Sequence, residues 1–267
     1  MGINIIDFDG TVTDADKGHG PFEAAFREDV RKALGLTTTE FDGRWEALKR
    51  DVYTSPTKYG WVNQGVITVP AYADMFMETR AIGNTLLQQE GFSDKDADAV
   101  LYKSYKANYD KVEIHFKEGA DDFLRRAEGS GNSFIVTNAY EDKVKRKMEQ
   151  LERKYDVPVI GRANKHVLFS SWDVVPESTR LPDFDRDSYL RRALYGQLVQ
   201  GLLTGTNSQP EDSKGLGDIL EMDLLLLRSL GMETGYMPKS NTPQVEINAA
   251  DNVLYSLEEA GDFLFKQ

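Results

Sequence analysis

The chain of 267 residues is long enough for one large domain or two of ordinary size, and its apolar content of 40% can supply a substantial core. Its net charge of −12 argues against a nucleic acid or an anionic membrane as the main partner. Because the chain has no cysteine, disulfides, thiolate catalysis and metal sites with cysteine ligands are excluded. The sequence shows no secretory signal and no apolar run of roughly 18 residues, so a cytoplasmic protein is expected.

The first predicted strand is the β-branched run I-N-I-I at residues 3–6, which two aspartates and a glycine follow. Asp7 and Asp9 are two residues apart, so on an extended backbone their side chains point the same way, and a turn at Gly10 exposes them beyond the sheet. Two carboxylates this close repel each other unless a cation lies between them. Because open α/β sheets bind ligands at this edge, the pair indicates a metal with oxygen ligands, most simply Mg²⁺.

The segment D-F-D-G-T-V-T-D at residues 7–14 resembles the first motif of the haloacid dehalogenase superfamily, in its phosphatase branch. The resemblance implies an α/β fold with a Rossmann-like, three-layer core around a central parallel sheet. It also implies that Asp7 is the nucleophile, that Asp9 is the general acid and base, and that Gly10 and Thr11 line the substrate site. The alternative interpretation of these residues is an ordinary acidic turn after a strand.

The family resemblance further implies a helical cap domain inserted between the first and second motifs. Residues 15–116 fit that cap, which leaves residues 1–14 and 117–267 as the core, and apolar residues recur at helical spacing in most of the insertion. Segment 55–70 is predicted to be a long loop with a short strand at its end. The cap residues that could contact a substrate are Lys17, His19, Trp61, Asn63 and Gln64. A surface role for His19 and a packing role for Trp61 are the alternatives.

The second motif is predicted at the apolar strand 134–136, which ends in Thr137 and Asn138. An apolar strand that ends in a hydroxyl residue resembles the family's second motif, and this implies that Thr137 binds the phosphate with Asn138 beside it. A basic helix follows over residues 143–154, and a third strand over residues 157–160.

The third motif should supply a cation, because the charge that develops on a transferred phosphoryl group must be met by fixed positive groups. Lys165 follows the third strand, whereas Arg180 lies nearer to the usual position of the family's lysine, so both are candidates. Residues 166–182 are interpreted as an insertion, with hairpin strands predicted near 167–170 and 174–175.

The fourth motif is predicted after a helix over residues 189–203. Asp218 follows Gly217, and Asp223 lies five residues further on, before a leucine-rich helix. The resemblance implies that Asp218 is a metal ligand and Asp223 an indirect one; helix-capping acids are the alternative. Lys214 and Gly215 interrupt the apolar character of the preceding strand, which is therefore predicted to be short or irregular.

Together the motifs predict a Mg²⁺-dependent phosphatase that hydrolyses a small phosphate ester through an aspartyl phosphate, as a monomer or homodimer. The predicted metal ligands are Asp7, Asp9, Asp218 and Asp223. A phosphomutase would use the same residues, and a phosphonate-cleaving enzyme would add a cap lysine. The weak third motif leaves open a non-catalytic binding protein with the same fold.

Overall fold

The structure is a computed structural model that describes residues 2–109 and 111–266. It comprises two compact units: Met1–Asp14 with His115–Gln267, here called the core unit, and Ala15–Ile114, here called the inserted unit. In chain order, the strands and α-helices are β1 (Asn4–Ile6), α1 (Ala15–Leu34), α2 (Thr38–Thr54), β2 (Gly60–Asn63), β3 (Val66–Pro70), α3 (Met75–Gln89), α4 (Asp94–Tyr109), α5 (Ala120–Ser130), β4 (Ser133–Val136), α6 (Glu141–Met148), β5 (Val159–Ile160), β6 (Ser178–Thr179), β7 (Ser188–Tyr189), α7 (Ala193–Gly205), β8 (Lys214–Gly217), α8 (Leu225–Ser229), β9 (Glu233–Tyr236), α9 (Gln244–Ala249), β10 (Asn252–Val253) and α10 (Leu257–Phe265).

The core unit is built on a sheet of six parallel strands in the order β10-β9-β8-β1-β4-β5. Strand β1 lies inside this sheet, where Asn4 is paired with Ser133 of β4 and with Lys214 of β8. The predicted α/β fold with a central parallel sheet is confirmed.

Apolar residues in β1 and directly before it enter different apolar clusters, because successive side chains of an extended chain point to opposite faces. Ile3 and Ile5 belong to a cluster that includes residues of α7 and α8. Ile6 belongs to a second cluster that includes residues of α5 and α10. Helices therefore cover both faces of the sheet, which gives the three layers typical of parallel sheets.

Strand β8, which was predicted to be short or irregular, has four residues and is regular. It pairs in unbroken register with both β1 and β9. A Cβ at Gly215 would lie 2.4 Å from Leu227 Cδ1, so the missing side chain makes room for α8. The Lys214 ammonium donates a hydrogen bond to the carbonyl of Phe263 at 2.6 Å.

The segment after β5 is mostly irregular, and the predicted hairpin strands at 167–170 and 174–175 are wrong. The antiparallel pair is formed instead by Ser178–Thr179 and Ser188–Tyr189. Val175 is instead buried in the apolar cluster that contains α7 residues. Because Tyr189 belongs to β7, helix α7 begins only at Ala193.

The inserted unit contains helices α1 to α4 and has an apolar core of its own, centred on Phe26, Trp45 and Leu86. It also contains the antiparallel hairpin β2–β3, in the segment that was predicted to be mainly a loop. In the part of the chain that the structure describes, no helix is long and apolar enough to cross a membrane.

Candidate active site

Polar side chains gather beyond the carboxyl ends of five neighbouring strands of the core sheet. They are Asp7 after β1, Thr137 after β4, Lys165 after β5, Asp218 after β8 and Lys239 after β9. Since parallel strands all end at one edge, the sheet brings together residues that are far apart in sequence.

Asp7 is a buried carboxylate with a buried lysine beside it. Its Oδ1 accepts a hydrogen bond from Lys165 Nζ at 2.7 Å, and its Oδ2 lies 3.2 Å from the Thr11 hydroxyl. Burial raises the pKa of Asp7 well above its usual value; Lys165 opposes this shift, whereas Asp223 and Asp218 add to it. Asp7 therefore depends on nearby positive charge to remain ionised.

Asp218 and Asp223 complete a group of three buried carboxylates. One oxygen from each of Asp7, Asp218 and Asp223 lies within 4.8 Å of the others. The Thr11 hydroxyl is 3.1 Å from Asp218 Oδ1, and Asp223 Oδ2 accepts a hydrogen bond from the Ile219 N–H at 2.9 Å. Burial also raises the pKa of Asp223. Three carboxylates with no sulfur or imidazole in the set fit a hard divalent cation such as Mg²⁺.

Lys165 is the cation that contacts the predicted nucleophile. Its ammonium bridges Asp7 Oδ1 at 2.7 Å and Asp223 Oδ1 at 2.8 Å, and its side chain is 1% exposed. Burial disfavours the ammonium, but Asp223 and Asp7 more than compensate and raise the pKa of Lys165. A permanent charge at this position is what phosphoryl transfer requires.

Arg180, the other candidate for the third motif, lies elsewhere in the core unit. It follows β6, its side chain is exposed, and its guanidinium lies 3.5 Å from Asp187 Oδ1. It also donates to the Phe184 carbonyl at 3.4 Å. The structure thus brings Lys165, and not Arg180, to the carboxylates.

Asp9 does not join the three carboxylates, contrary to the expectation that its side chain would point the same way as that of Asp7. Strand β1 ends at Ile6, so the extended spacing on which that expectation rested does not continue to residue 9. The Asp9 side chain is 36% exposed, and its Oδ1 accepts a hydrogen bond from Lys147 Nζ at 2.5 Å. It remains next to the site in sequence, with a more solvated carboxylate than Asp7.

Gly10 leaves space for the carboxylate of Asp218, because it has no side chain. Its φ of +88° belongs to the left-handed region that favours glycine, and a Cβ there would lie 2.2 Å from Asp218 Oδ2. The Gly10 N–H donates to Thr13 Oγ1 at 3.0 Å, which closes the turn after β1.

Thr137 and Asn138 form the loop after β4. The Thr137 hydroxyl is buried and accepts a hydrogen bond from the Ala139 N–H at 3.1 Å. Asn138 Oδ1 accepts from the backbone N–H of Lys165 at 2.8 Å, so this loop is tied directly to the lysine.

Cations that were not predicted from the sequence contact these groups and their neighbours, and two of them, Arg186 and Arg192, are buried. Lys239 Nζ lies 2.8 Å from Asp218 Oδ2. Arg192 is fully buried and donates from Nη1 to the carbonyl of Lys165 at 2.6 Å. Arg186 forms a two-point contact with Glu221, which lies between Asp218 and Asp223 in sequence. Of these three cations, only Lys239 could have been predicted from the sequence, because it is a basic residue just after a strand of the parallel sheet.

The predicted substrate-contacting residues of the cap lie in the inserted unit. His19 is buried within α1 rather than on a surface or linker, and its Nε2 lies 2.8 Å from Thr79 Oγ1. Burial lowers the pKa of His19. Lys17 and Gln64 are exposed, and Trp61 and Asn63 are half-buried in β2.

No protein-family model matches the sequence, and no curated protein matches it either. Solved structures of similar fold include the putative HAD-hydrolase YfnB from Bacillus subtilis bound to magnesium, with a TM-score of 0.52 at 14% identity, covering 99% of both chains. CbbY from Rhodobacter sphaeroides in complex with phosphate has a TM-score of 0.50 at 18% identity and covers 99% of this chain and 100% of its own. A 2-haloacid dehalogenase from Pseudomonas syringae pv. Tomato DC3000 has a TM-score of 0.50 at 13% identity, with coverages of 98% and 97%. The chain therefore has the haloacid dehalogenase fold.

Proposed function

We propose that this protein is a Mg²⁺-dependent phosphohydrolase that cleaves a small phosphate ester through an aspartyl phosphate on Asp7. The observation that carries the proposal is the contact of Asp7 with Lys165 inside a group of three carboxylates. Similar folds have been solved with magnesium and with phosphate, as in YfnB and CbbY, and this supports the same two ligands here.

Asp7, Asp218 and the backbone carbonyl of Asp9 are proposed to hold the ion, with Asp223 acting indirectly. Bound there, Mg²⁺ would supply positive charge against the phosphoryl oxygens. Lys165 supplies a second, permanent charge at Asp7, and its bridge to Asp223 fixes the position of the ammonium. Thr137 and Asn138, with Gly10 and Thr11, are proposed to line the phosphate site.

In the proposed reaction a carboxylate oxygen of Asp7 attacks phosphorus, and the bond from phosphorus to the leaving oxygen breaks. Asp9 gives its proton to that oxygen, and then takes a proton from the water that hydrolyses the aspartyl phosphate. The buried ion pair with Lys165 suits Asp7 to act as an ionised nucleophile, whereas the proposed role of Asp9 rests on its position in the first motif.

The test is phosphate release from a panel of phosphorylated metabolites, in the presence of Mg²⁺, by the wild-type protein, Asp7→Asn and the exposed control Asp156→Asn. We expect Asp7→Asn to reduce turnover by about a thousandfold or more, because the amide is not a nucleophile, and Asp156→Asn to leave it unchanged. Equal turnover by the wild type and Asp7→Asn would show that the proposed nucleophile is wrong.

The same panel separates the alternatives. A phosphomutase would move phosphate to a second hydroxyl without releasing it, and a phosphonate-cleaving enzyme would be trapped by borohydride through a lysine imine. Halide release from 2-haloacids, without phosphate release from any ester, would favour a dehalogenase such as the similar Pseudomonas syringae protein. The absence of any turnover would favour a binding protein.

A further inference from the structure

Lys239 is a second lysine in the acidic site, and it contacts a different carboxylate from Lys165. Its Nζ lies 2.8 Å from Asp218 Oδ2, and the two side chains are 9% and 2% exposed. A turn fixes its backbone, since the Lys239 N–H donates to Thr242 Oγ1 at 2.9 Å and the Thr242 N–H donates to the Lys239 carbonyl at 3.2 Å. The contact is therefore buried and built into the fold, unlike an exposed surface pair.

Both oxygens of Asp218 are engaged by groups of the chain itself. Oδ1 lies 3.1 Å from the Thr11 hydroxyl, and Oδ2 contacts the Lys239 ammonium. On the far side Oδ2 is close to Gly10, where even a methyl group would not fit. A cation that uses Asp218 as a ligand must therefore share this carboxylate with a fixed positive charge or displace it.

The charges of the site make this competition strong. Three carboxylates, Asp7, Asp218 and Asp223, face two ammonium groups, Lys165 and Lys239, so with all five groups ionised one net negative charge is left. Inside a protein, like charges a few ångström apart repel far more strongly than in water. The same lysine also compensates the buried carboxylate of Asp218, which would be costly to leave unpaired.

We propose that Lys239 is a built-in competitor of the divalent ion: its ammonium stabilises the acidic site before the ion binds and lowers the affinity of the site for Mg²⁺. This inference rests on the metal site of the proposed function. On this inference, Lys239 sets the Mg²⁺ affinity of the site without being a ligand of the ion. It thereby also sets the free Mg²⁺ concentration at which the protein works.

The experiment is calorimetric titration of the full chain with Mg²⁺ alone, which needs no substrate. We expect Lys239→Met to bind Mg²⁺ about tenfold or more tightly than the wild type, because a unit charge next to the ion is removed. Lys239→Arg keeps the charge and should bind like the wild type. The control Lys145→Met removes a charge from an exposed pair with Glu141 and should also bind like the wild type.

Thermal unfolding gives a second readout. Without Mg²⁺, Lys239→Met should unfold at a lower temperature than the wild type, since Asp218 is left buried and unpaired, and it should gain more from added Mg²⁺. If Lys239→Met does not fold, Lys239→Gln retains a hydrogen-bond donor without the charge, and we expect the same direction of change in affinity.

Equal or weaker Mg²⁺ binding by the neutral variants would overturn this inference and would leave the proposed function standing, provided that the wild type binds the ion. If neither the wild type nor the variants bind Mg²⁺, the inference and the metal site both fail. Phosphate release by Asp7→Asn is measured separately and tests the nucleophile whatever the titration shows.

Discussion

Gly10 affects both the backbone conformation of the turn after β1 and the position of a predicted metal ligand. Its positive φ costs an alanine about 1–2 kcal/mol, and a Cβ would collide with Asp218 Oδ2. We expect Gly10→Ala to lower the free energy of unfolding and also to weaken Mg²⁺ binding and phosphate release. Gly131 is a matched control in the core unit, with φ of +68° and nothing within 4 Å of an added Cβ.

Denaturant unfolding and Mg²⁺ titration of both alanine variants check this prediction. Gly131→Ala should lose stability alone and retain wild-type Mg²⁺ affinity. If Gly10→Ala also retained that affinity, Asp218 would not be held in place by the close approach of Gly10.

At the scale of single residues, the sequence was informative about groups that belong to a motif. Asp7, Asp218, Asp223 and Lys165 were all proposed from motif order, and the structure brings these four together. Other cationic neighbours of these groups were missed, because tertiary packing determines which side chains reach the site. Arg192, for example, reaches the Lys165 carbonyl across 27 positions of irregular chain.

Besides the contacts of Lys165, a buried ion pair between Arg186 and Glu221 ties the irregular segment between β5 and α7 to the site. Arg186 donates two hydrogen bonds to the Glu221 carboxylate, and the two side chains are 8% and 2% exposed. Glu221 lies in a π-helical turn, Leu220–Leu224, which also contains Asp223. Arg186→Met should destabilise the protein by about 3–5 kcal/mol, because it leaves the Glu221 carboxylate buried and unpaired.

The double variant Arg186→Met with Glu221→Leu removes both charges and should recover most of that loss. Urea unfolding of the wild type, both single variants and the double variant forms a double-mutant cycle that measures the coupling. Arg180→Met, on the same segment but exposed, should change stability by less than about 0.5 kcal/mol. If the double variant recovered no more stability than Arg180→Met changes, Arg186 and Glu221 would not be a coupled buried ion pair.

Strands and helices with a clear apolar pattern in the sequence were predictable, whereas those determined by packing against the rest of the protein were not. The strands at residues 4–6 and 133–136 follow from their apolar runs. Strand β8 was predicted to be short or irregular because of Lys214 and Gly215, yet the missing side chain of Gly215 leaves space for Leu227 of α8. The hairpin β6–β7 had no apolar alternation, since each strand has only two residues and is placed by its surroundings.

For the whole molecule, the pH dependence of stability should carry a contribution from the inserted unit. Glu78 is buried there, and this burial raises its pKa to about 7 from 4.5; Lys49 opposes the shift, whereas Glu23 and Glu46 add to it. Between these two pH values the folded protein keeps a proton that the unfolded chain has released. Stability therefore falls as the pH rises through this window, by up to roughly 3 kcal/mol.

Glu78→Gln removes this dependence, so it should be more stable than the wild type at pH 8 and similar to it near pH 4.5. Thermal unfolding across this range, with the exposed control Glu149→Gln, measures the difference. A constant offset between Glu78→Gln and the wild type at all pH values would show that Glu78 does not titrate as stated.

The central position of β1 also has a consequence for how the protein is made. Its two neighbours begin at Ser133 and Lys214, so the second of them leaves the ribosome some two hundred residues later. At about 5–20 residues per second, strand β1 is synthesised roughly 10 to 40 s before its second partner. Until then one edge of β1 has no partner strand in the nascent chain, and chaperones that bind short apolar segments are expected to engage it there.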